Sequence, residues 1–220
     1  MSVSGGPDLI QDGLVLCLDA ANTKSYPGSG TSWVDLSGNG NNGTLTNGPT
    51  FNSANGGSIV FDGTNDQINC GNALSLQITI GTISAWFNAT NANSGFNGII
   101  TKRHAWSLFV QDNVLMTFDW GSGAVSRSTG ITVGNGLWNH AAMSFNTNID
   151  NGAIVYLNGV AVLTTRIIHY NHAYGVRIGE SSDANQFLTG NVASASVYNR
   201  RLSAAEILQN YNATKGRFRL

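Results

Sequence analysis

Charge is scarce in this sequence. Lys, Arg, Asp and Glu make up 10% of 220 residues, 11 basic against 12 acidic, for a formal net charge of −1. A typical globular chain carries about 25%. There is no basic stripe to neutralise phosphates, which argues against a nucleic-acid partner. Glutamate is scarcer still, with Glu180 and Glu206 alone. Glycoside hydrolysis needs two facing carboxylates. No strand-like run carries two acids at i and i+2 or i+4, so the expectation is a non-enzymatic protein with no catalytic residues. Proline occurs three times and cysteine twice. Cys17 and Cys70 sit in separate apolar runs, where buried free thiols are expected and a disulfide is the alternative. No apolar run approaches the ~18 residues of a membrane-spanning helix, so no membrane partner is expected. Met1 to Gly6 are small and polar, unlike a signal peptide; taken as a native start, they imply synthesis in a cytoplasm. No G-x-S-x-G elbow or phosphate loop is present.

What the chain has instead is 27 Gly and 27 Asn. Both tolerate positive φ, which suits many tight turns. Asn-Gly pairs begin at Asn39, Asn42, Asn47, Asn55, Asn97, Asn135, Asn151 and Asn158, each a turn signal. Short apolar runs between them predict strands over Gly13–Asp19, Ser58–Phe61, Gln67–Cys70, Ile78–Asn88, Ile99–Lys102, Trp106–Gln111 and Val114–Trp120. More follow over Val125–Thr129, Trp138–Phe145, Ile154–Leu157, Val160–Thr165, Val176–Gly179 and Asn191–Tyr198. Hairpins are predicted at Asp112-Asn113 and Asn158-Gly159. Five Trp, nine Phe and six Tyr supply the core. So many short strands with close turns imply an all-β sandwich or barrel. One helix is predicted over 203–212: Ser203 with Glu206 forms a capping box ahead of Ile207, Leu208 and Tyr211. Residues 22–55, rich in Gly, Ser, Asn and Thr around Trp33 and Leu36, read as a long surface loop. Without a repeat or linker, 1–220 is expected to be a single domain.

Several segments carry a family resemblance. Trp138-Asn139-His140-Ala141-Ala142-Met143-Ser144-Phe145, then Ile154-Val155-Tyr156-Leu157-Asn158-Gly159, resembles the "W-x-H-V-A-x-x-F … L-Y-V-N-G" pattern of laminin G-like, concanavalin A-like domains. Phe61-Asp62-Gly63-Thr64-Asn65-Asp66 is similar to that family's early "F-D-G-x-x-D". Val197-Tyr198-Asn199-Arg200 with Leu202 to Ile207 resembles its closing motif, although Ala193-Ser194 stand where the family often has Asp-Glu. The resemblance implies a two-sheet antiparallel concanavalin A-like jelly-roll sandwich with one short C-terminal helix. The ends, Gly13 to Asn22 with Trp33 to Asn39, and Gln209 to Phe218, resemble laminin G-like structural proteins of tailed bacteriophages. That implies a virion location as a capsid decoration, fibre or tail-surface module. Its partners would be other virion proteins or copies of itself, with host-surface glycans as further ligands. A stand-alone lectin-like module is the alternative.

Three residue sets are candidates. For glycan binding, which pairs aromatic faces with planar polar groups, they are Trp106, Trp120, Tyr170, Asn171, His172 and Tyr174. For a cation, Asp62, Asn65 and Asp66 crowd oxygen ligands onto a Gly-containing turn that suits calcium; the same residues are ordinary turn formers. For assembly, Lys215, Arg217, Phe218 and Arg219 in the C-terminal tail could anchor to an acidic neighbour, or fray. His169 and His172 form a possible metal pair without a third ligand nearby in sequence, and His140 suits a structural role.

Overall fold

Runs of two to twelve residues with β-branched and aromatic side chains cannot bury themselves alone, and here they pair into two stacked antiparallel sheets. The computed structural model describes residues 7–90, 95–121, 124–181 and 186–220. Met1 to Gly6, Ser122-Gly123 and Ser182-Asp183 lie outside the described residues. The strands in chain order are β1 (Leu14–Asp19), β2 (Ser32–Trp33), β3 (Gly43–Thr46), β4 (Thr50–Asn52), β5 (Ser58–Asp62), β6 (Gln67–Asn69), β7 (Ile80–Thr90) and β8 (Asn97–Lys102). They continue as β9 (Trp106–Gln111), β10 (Val114–Asp119), β11 (Val125–Thr132), β12 (Asn135–Asn146), β13 (Ala153–Leu157), β14 (Val160–Thr165), β15 (Val176–Ile178) and β16 (Thr189–Tyr198). The first sheet runs β14-β13-β12-β7-β16-β5-β4, with β1 also paired to β16. The second runs β11-β10-β9-β8-β15-β6-β3-β2. Between them lies one core, in which Leu16, Trp33, Phe61, Phe87, Trp106 and Phe145 are all but inaccessible. Each such side chain contributes about 1.5–3 kcal/mol of burial.

Both predicted hairpins form with paired positive φ at the turn: 50° and 64° at Asp112-Asn113, 51° and 81° at Asn158-Gly159. That is the type I′ geometry that matches strand twist. Asn97-Gly98 is a correction to the turn reading, because both residues lie inside β8. Glycine is needed there for another reason: a Cβ on Gly98 would meet the Glu180 carbonyl oxygen at 2.3 Å.

The stretch 22–55 is also corrected. It holds three short strands, β2 and β3 on the second sheet and β4 on the edge of the first. Trp33 is fully buried. Its path is fixed by the buried Asp35 carboxylate, which accepts hydrogen bonds from the amides of Cys17 (2.8 Å), Ser37 (2.9 Å) and Asn41 (3.0 Å). Single apolar anchors spaced by polar residues leave no periodicity to read.

The helix α1 (Ala204–Thr214) starts on the expected capping box. Glu206 also pairs with Arg200 at 2.7 Å. Ile207 packs with Leu14, Cys17, Tyr156 and Tyr198 against the outer face of the first sheet. A 3₁₀ turn, Lys215–Phe218, follows. Phe218 stacks on Trp86 with centroids 4.2 Å apart and rests on Trp138 at 4.6 Å. Arg217 Nη1 pairs with Asp19 Oδ1 at 2.9 Å and the same guanidinium donates to the carbonyls of Asn55 and Gly57. Lys215 lies over the Tyr211 ring at 5.3 Å. Of the four residues expected to anchor an assembly, Arg217 and Phe218 are thus engaged inside the fold and Lys215 lies on Tyr211, while Arg219 caps the turn with its backbone at φ 60° and keeps an exposed side chain. The tail does anchor, but to its own first sheet.

Cys17 and Cys70 are buried free thiols. Burial pushes Cys17 up to about 11 and Cys70 up to about 12, so neither ionises near neutrality.

Candidate functional site

Strand parity decides which aromatics reach solvent. In β9, Trp106, Leu108 and Val110 join the core. Ser107 and Phe109 therefore point to the opposite, outer face of the second sheet. The β9–β10 hairpin pairs Phe109 with Met116, which puts Met116, Phe118 and then Trp120 on that same outer face. Across β8 and β15, Thr101 and Arg177 continue the row. While α1 and the tail cover the outer face of the first sheet, on this face Thr101, Ser107, Phe109 and Phe118 are buried, Phe96 packs on the two phenylalanines, and Met116 and Trp120 are half-buried.

Two neighbouring segments raise one end of it. The β8–β9 turn places His104 in the left-handed region at φ 64°, a strained state for a non-glycine residue. In return its carbonyl accepts the amides of Tyr170 (2.7 Å) and Asn171 (3.2 Å). The segment after β14 is thus pinned to the turn. Around the His104 ring stand Trp120 (centroids 4.9 Å), Tyr170 (5.5 Å) and Tyr174 (4.9 Å), all edge-on. Asn171 Nδ2 lies 3.3 Å from His104 Nδ1, and Arg103 covers the Tyr174 ring at 5.0 Å. Tyr170 is 71% exposed and Tyr174 36%. Trp120 touches Phe118 at 4.3 Å. The rim of His104, Tyr170 and Tyr174 thus runs without a break into the sheet face.

Beneath the rim, Lys102 is fully buried. Its Nζ donates to Asn72 Oδ1 and the Tyr174 carbonyl, and Asn72 Nδ2 donates to the His172 carbonyl at 2.7 Å. Burial lowers Lys102 to about 8. His169 and His172 stack at 4.0 Å. Burial, then His169 and then Lys102, hold His172 down at about 4. Burial, then Lys102, also lowers His169, and the two imidazoles pack as flat polar rings.

Of the six expected glycan-contact residues, the structure brings Trp120, Tyr170, Asn171 and Tyr174 together around His104, while His172 stacks on His169. Trp106 is a correction. It is 0% exposed and faces Phe145 across the core, out of reach of any surface ligand. Sequence reasoning missed His104, Phe96, Ser107, Phe109 and Phe118. The signal was available: the Asp112-Asn113 turn sets the register of β9 against β10, and parity from Trp106 then assigns each face.

On the Asp62–Asp66 loop, Asp62 Oδ1 accepts the Thr64 amide at 2.7 Å and Asp66 Oδ2 accepts the Asp62 amide at 3.0 Å. Asn47 Nδ2 donates to the Asn65 carbonyl at 2.9 Å. Burial raises Asp66 above the ordinary carboxylate range. Each carboxylate thus has one oxygen engaged in capping the turn; the second oxygens and the Asn65 side chain are what a cation would use. His140 lies beneath α1, packed on Trp86 and Tyr211. Burial lowers it to about 4. Among the acids, Asp119 is held by Arg127 (2.8 Å) and Arg166 (3.2 Å), Glu180 by Arg177 at 3.3 Å, and Glu206 by Arg200.

An antiparallel two-sheet sandwich with this strand order, one sheet capped by a short C-terminal helix, defines a concanavalin A-like, laminin G-like jelly roll. Residues 62–208 match the laminin G-type family model described as the concanavalin A-like lectin/glucanases superfamily, and the chain belongs to that superfamily. No curated protein matches it in sequence. Among solved structures, the binding domain of Paraclostridial Mosquitocidal Protein 1 superposes with a TM-score of 0.74 at 17% identity, over 92% of this chain and 52% of that one. Domain 4 of AbnA, a GH43 extracellular arabinanase from Geobacillus stearothermophilus in complex with arabinotriose, gives 0.70 at 17% identity, over 90% and 98%. The binding domain of botulinum neurotoxin DC in complex with SialylT gives 0.68 at 13%, over 93% and 52%. This chain spans about half the length of the two toxin domains, and at such identities the likeness is one of fold.

Proposed function

We propose that this chain is a non-catalytic carbohydrate-binding module. Its ligand lies on the outer face of the second sheet, against Trp120, Tyr170 and Tyr174. The observation that carries this is the cluster of Trp120, Tyr170 and Tyr174 around His104, with both tyrosines exposed and Asn171 and Arg103 at its rim. Rigid aromatic surfaces beside planar polar groups suit sugar rings, which have apolar faces and hydroxyl edges. The arabinotriose complex of AbnA domain 4 shows that a protein of this fold holds an oligosaccharide. The engagement of Glu180, Glu206 and Asp119 in ion pairs supports the non-catalytic half of the proposal. A glycan array tests it. Trp120→Ala is expected to weaken binding about tenfold or more, the cost of truncating an aromatic anchor, with little change in melting temperature. A wild-type protein that binds no glycan, or a Trp120→Ala protein that binds as before, sinks the proposal.

We further propose that the module is carried on a virion of a tailed bacteriophage, beside copies of itself or other shell proteins. The resemblance of its two end segments supports this. So does the exposed edge strand β14, where Val160 is 64% exposed and Leu208 of α1 lies close to the β13–β14 turn. Such an edge is a ready surface for a neighbour.

A further inference from the structure

Beside Trp120 lies a cavity of about 60 Å³. Its apolar walls are Phe96, Phe109, Phe118 and the Trp120 ring; its polar walls are Thr101, Ser107 and Ser181. The aromatic walls are braced: Phe96 stands edge-on to Phe109 (5.2 Å, 86°) and to Phe118 (5.4 Å, 86°).

The polar walls are not equivalent. Thr101 Oγ1 donates to the Glu180 carbonyl at 2.7 Å, and Ser181 Oγ donates to Gln186 Oε1 at 2.7 Å. Ser107 is 5% exposed, and its Oγ is buried with no hydrogen-bond partner. Trp120 Nε1 is likewise buried and unpartnered. Unsatisfied buried groups of this kind are costly, and native folds keep few of them. A water in the cavity would find these two free groups among mostly aromatic walls, the low end of the two to four partners an ordered water has.

We propose that this cavity is a subsite for the acetamido group of an N-acetylated amino sugar, its methyl against the phenylalanines and its carbonyl or amide on Ser107 Oγ. The inference rests on the glycan-binding proposal above and narrows it to a class of sugar. A cavity of this order accepts a group of about four heavy atoms. A hydroxymethyl arm would lose its water shell against three phenylalanines. The bare methyl of a 6-deoxy sugar would leave Ser107 unsatisfied. A hydroxyl, which both donates and accepts, suits either polar atom of an amide.

The test is an array on which each neutral oligosaccharide stands beside its counterpart with N-acetyl in place of a hydroxyl, together with 6-deoxy sugars. Wild type, Ser107→Ala, Ser107→Leu and Trp120→Ala are compared, with a thermal melt of each. Wild type is expected to favour the N-acetylated member about tenfold or more. Ser107→Ala should cut that ratio about fivefold, the worth of one neutral hydrogen bond, without a lower melting temperature, since it removes an unsatisfied hydroxyl. Ser107→Leu, which fills the cavity, should abolish the ratio. Equal binding of both members, a preference for 6-deoxy sugars, or a ratio untouched in folded Ser107→Ala overturns the subsite and leaves the broader proposal standing. Absence of binding to any glycan removes both.

Discussion

Trp106 and Trp120 show how one side chain takes two fates. Each sits at the end of an apolar run beside a turn. Trp106 shares the inward parity of Leu108 and Val110, so its ring fills the core. Trp120 follows Met116 and Phe118 on the outward parity, so its ring meets His104 and Phe118 at the surface. Trp106→Ala is therefore expected to cost stability, about 3–5 kcal/mol as for a buried large-to-small change, as read by denaturant melts. His140 gives a pH prediction at the same scale. Its folded value of about 4 lies below the ordinary 6.5, so the unfolded chain takes up the proton first. Its contribution to stability is complete above pH 6.5, drains away between 6.5 and 4, and changes no further below. The loss is about 3 kcal/mol from this one group. His140→Gln should flatten the stability profile across that window; an unaltered slope would show that the imidazole is already solvated in the fold.

At the scale of elements, α1 and its tail behave as one closing device. Ser203 and Glu206 start the helix, Arg200 braces Glu206, and Phe218 ends the run against Trp86 and Trp138. The Arg200 side-chain hydrogen bond, with the Ser203 amide, holds Glu206 down at about 2, below its ordinary 4.5. A depressed carboxylate contributes stability that is present above pH 4.5 and is lost as pH falls toward 2. Phe218→Ala should lower stability by about 3 kcal/mol in a calorimetric melt; an unchanged melt would mean that the tail is loose. This element was legible in advance because a capping box is a local rule. Strands β2, β3 and β4 were not. Their residues look like a loop because Trp33 is held by packing across the sandwich and the path around it by the Asp35 carboxylate, which reaches back to the amide of Cys17 on β1.

On the scale of the whole molecule, the two sheets are unequal. One is covered by the chain's own C-terminal segment, while the other carries the exposed Tyr170 and Tyr174 at one end, where the ligand is proposed to bind. Light scattering of the purified protein separates the two settings. A stable trimer or larger ring supports a virion part with neighbours at the β14 edge; a monomer supports a self-contained module. Calcium is tested by melting in excess chelator and in millimolar calcium. Because Asp62 and Asp66 each have an oxygen committed to a backbone amide, the two melts are expected to coincide, and a rise of several degrees with calcium would assign the loop to a cation.

The sequence alone determined what depends on neighbours along the chain. Turn chemistry at Asp112-Asn113 and Asn158-Gly159, the capping box at Ser203 and the strand runs with their family motifs are all set by backbone preference and short-range pattern. The dearth of glutamate likewise spoke directly to chemistry. Tertiary structure decided what depends on distance through space. It buried Trp106 and exposed Tyr170, turned Phe218 inward, and gathered His104, Trp120 and Tyr174 from three separate segments into one face. The physical reason is that exposure is a property of the packed sheets: a strand's period says which residues share a face, but only the sheet stacked against it says which face is dry.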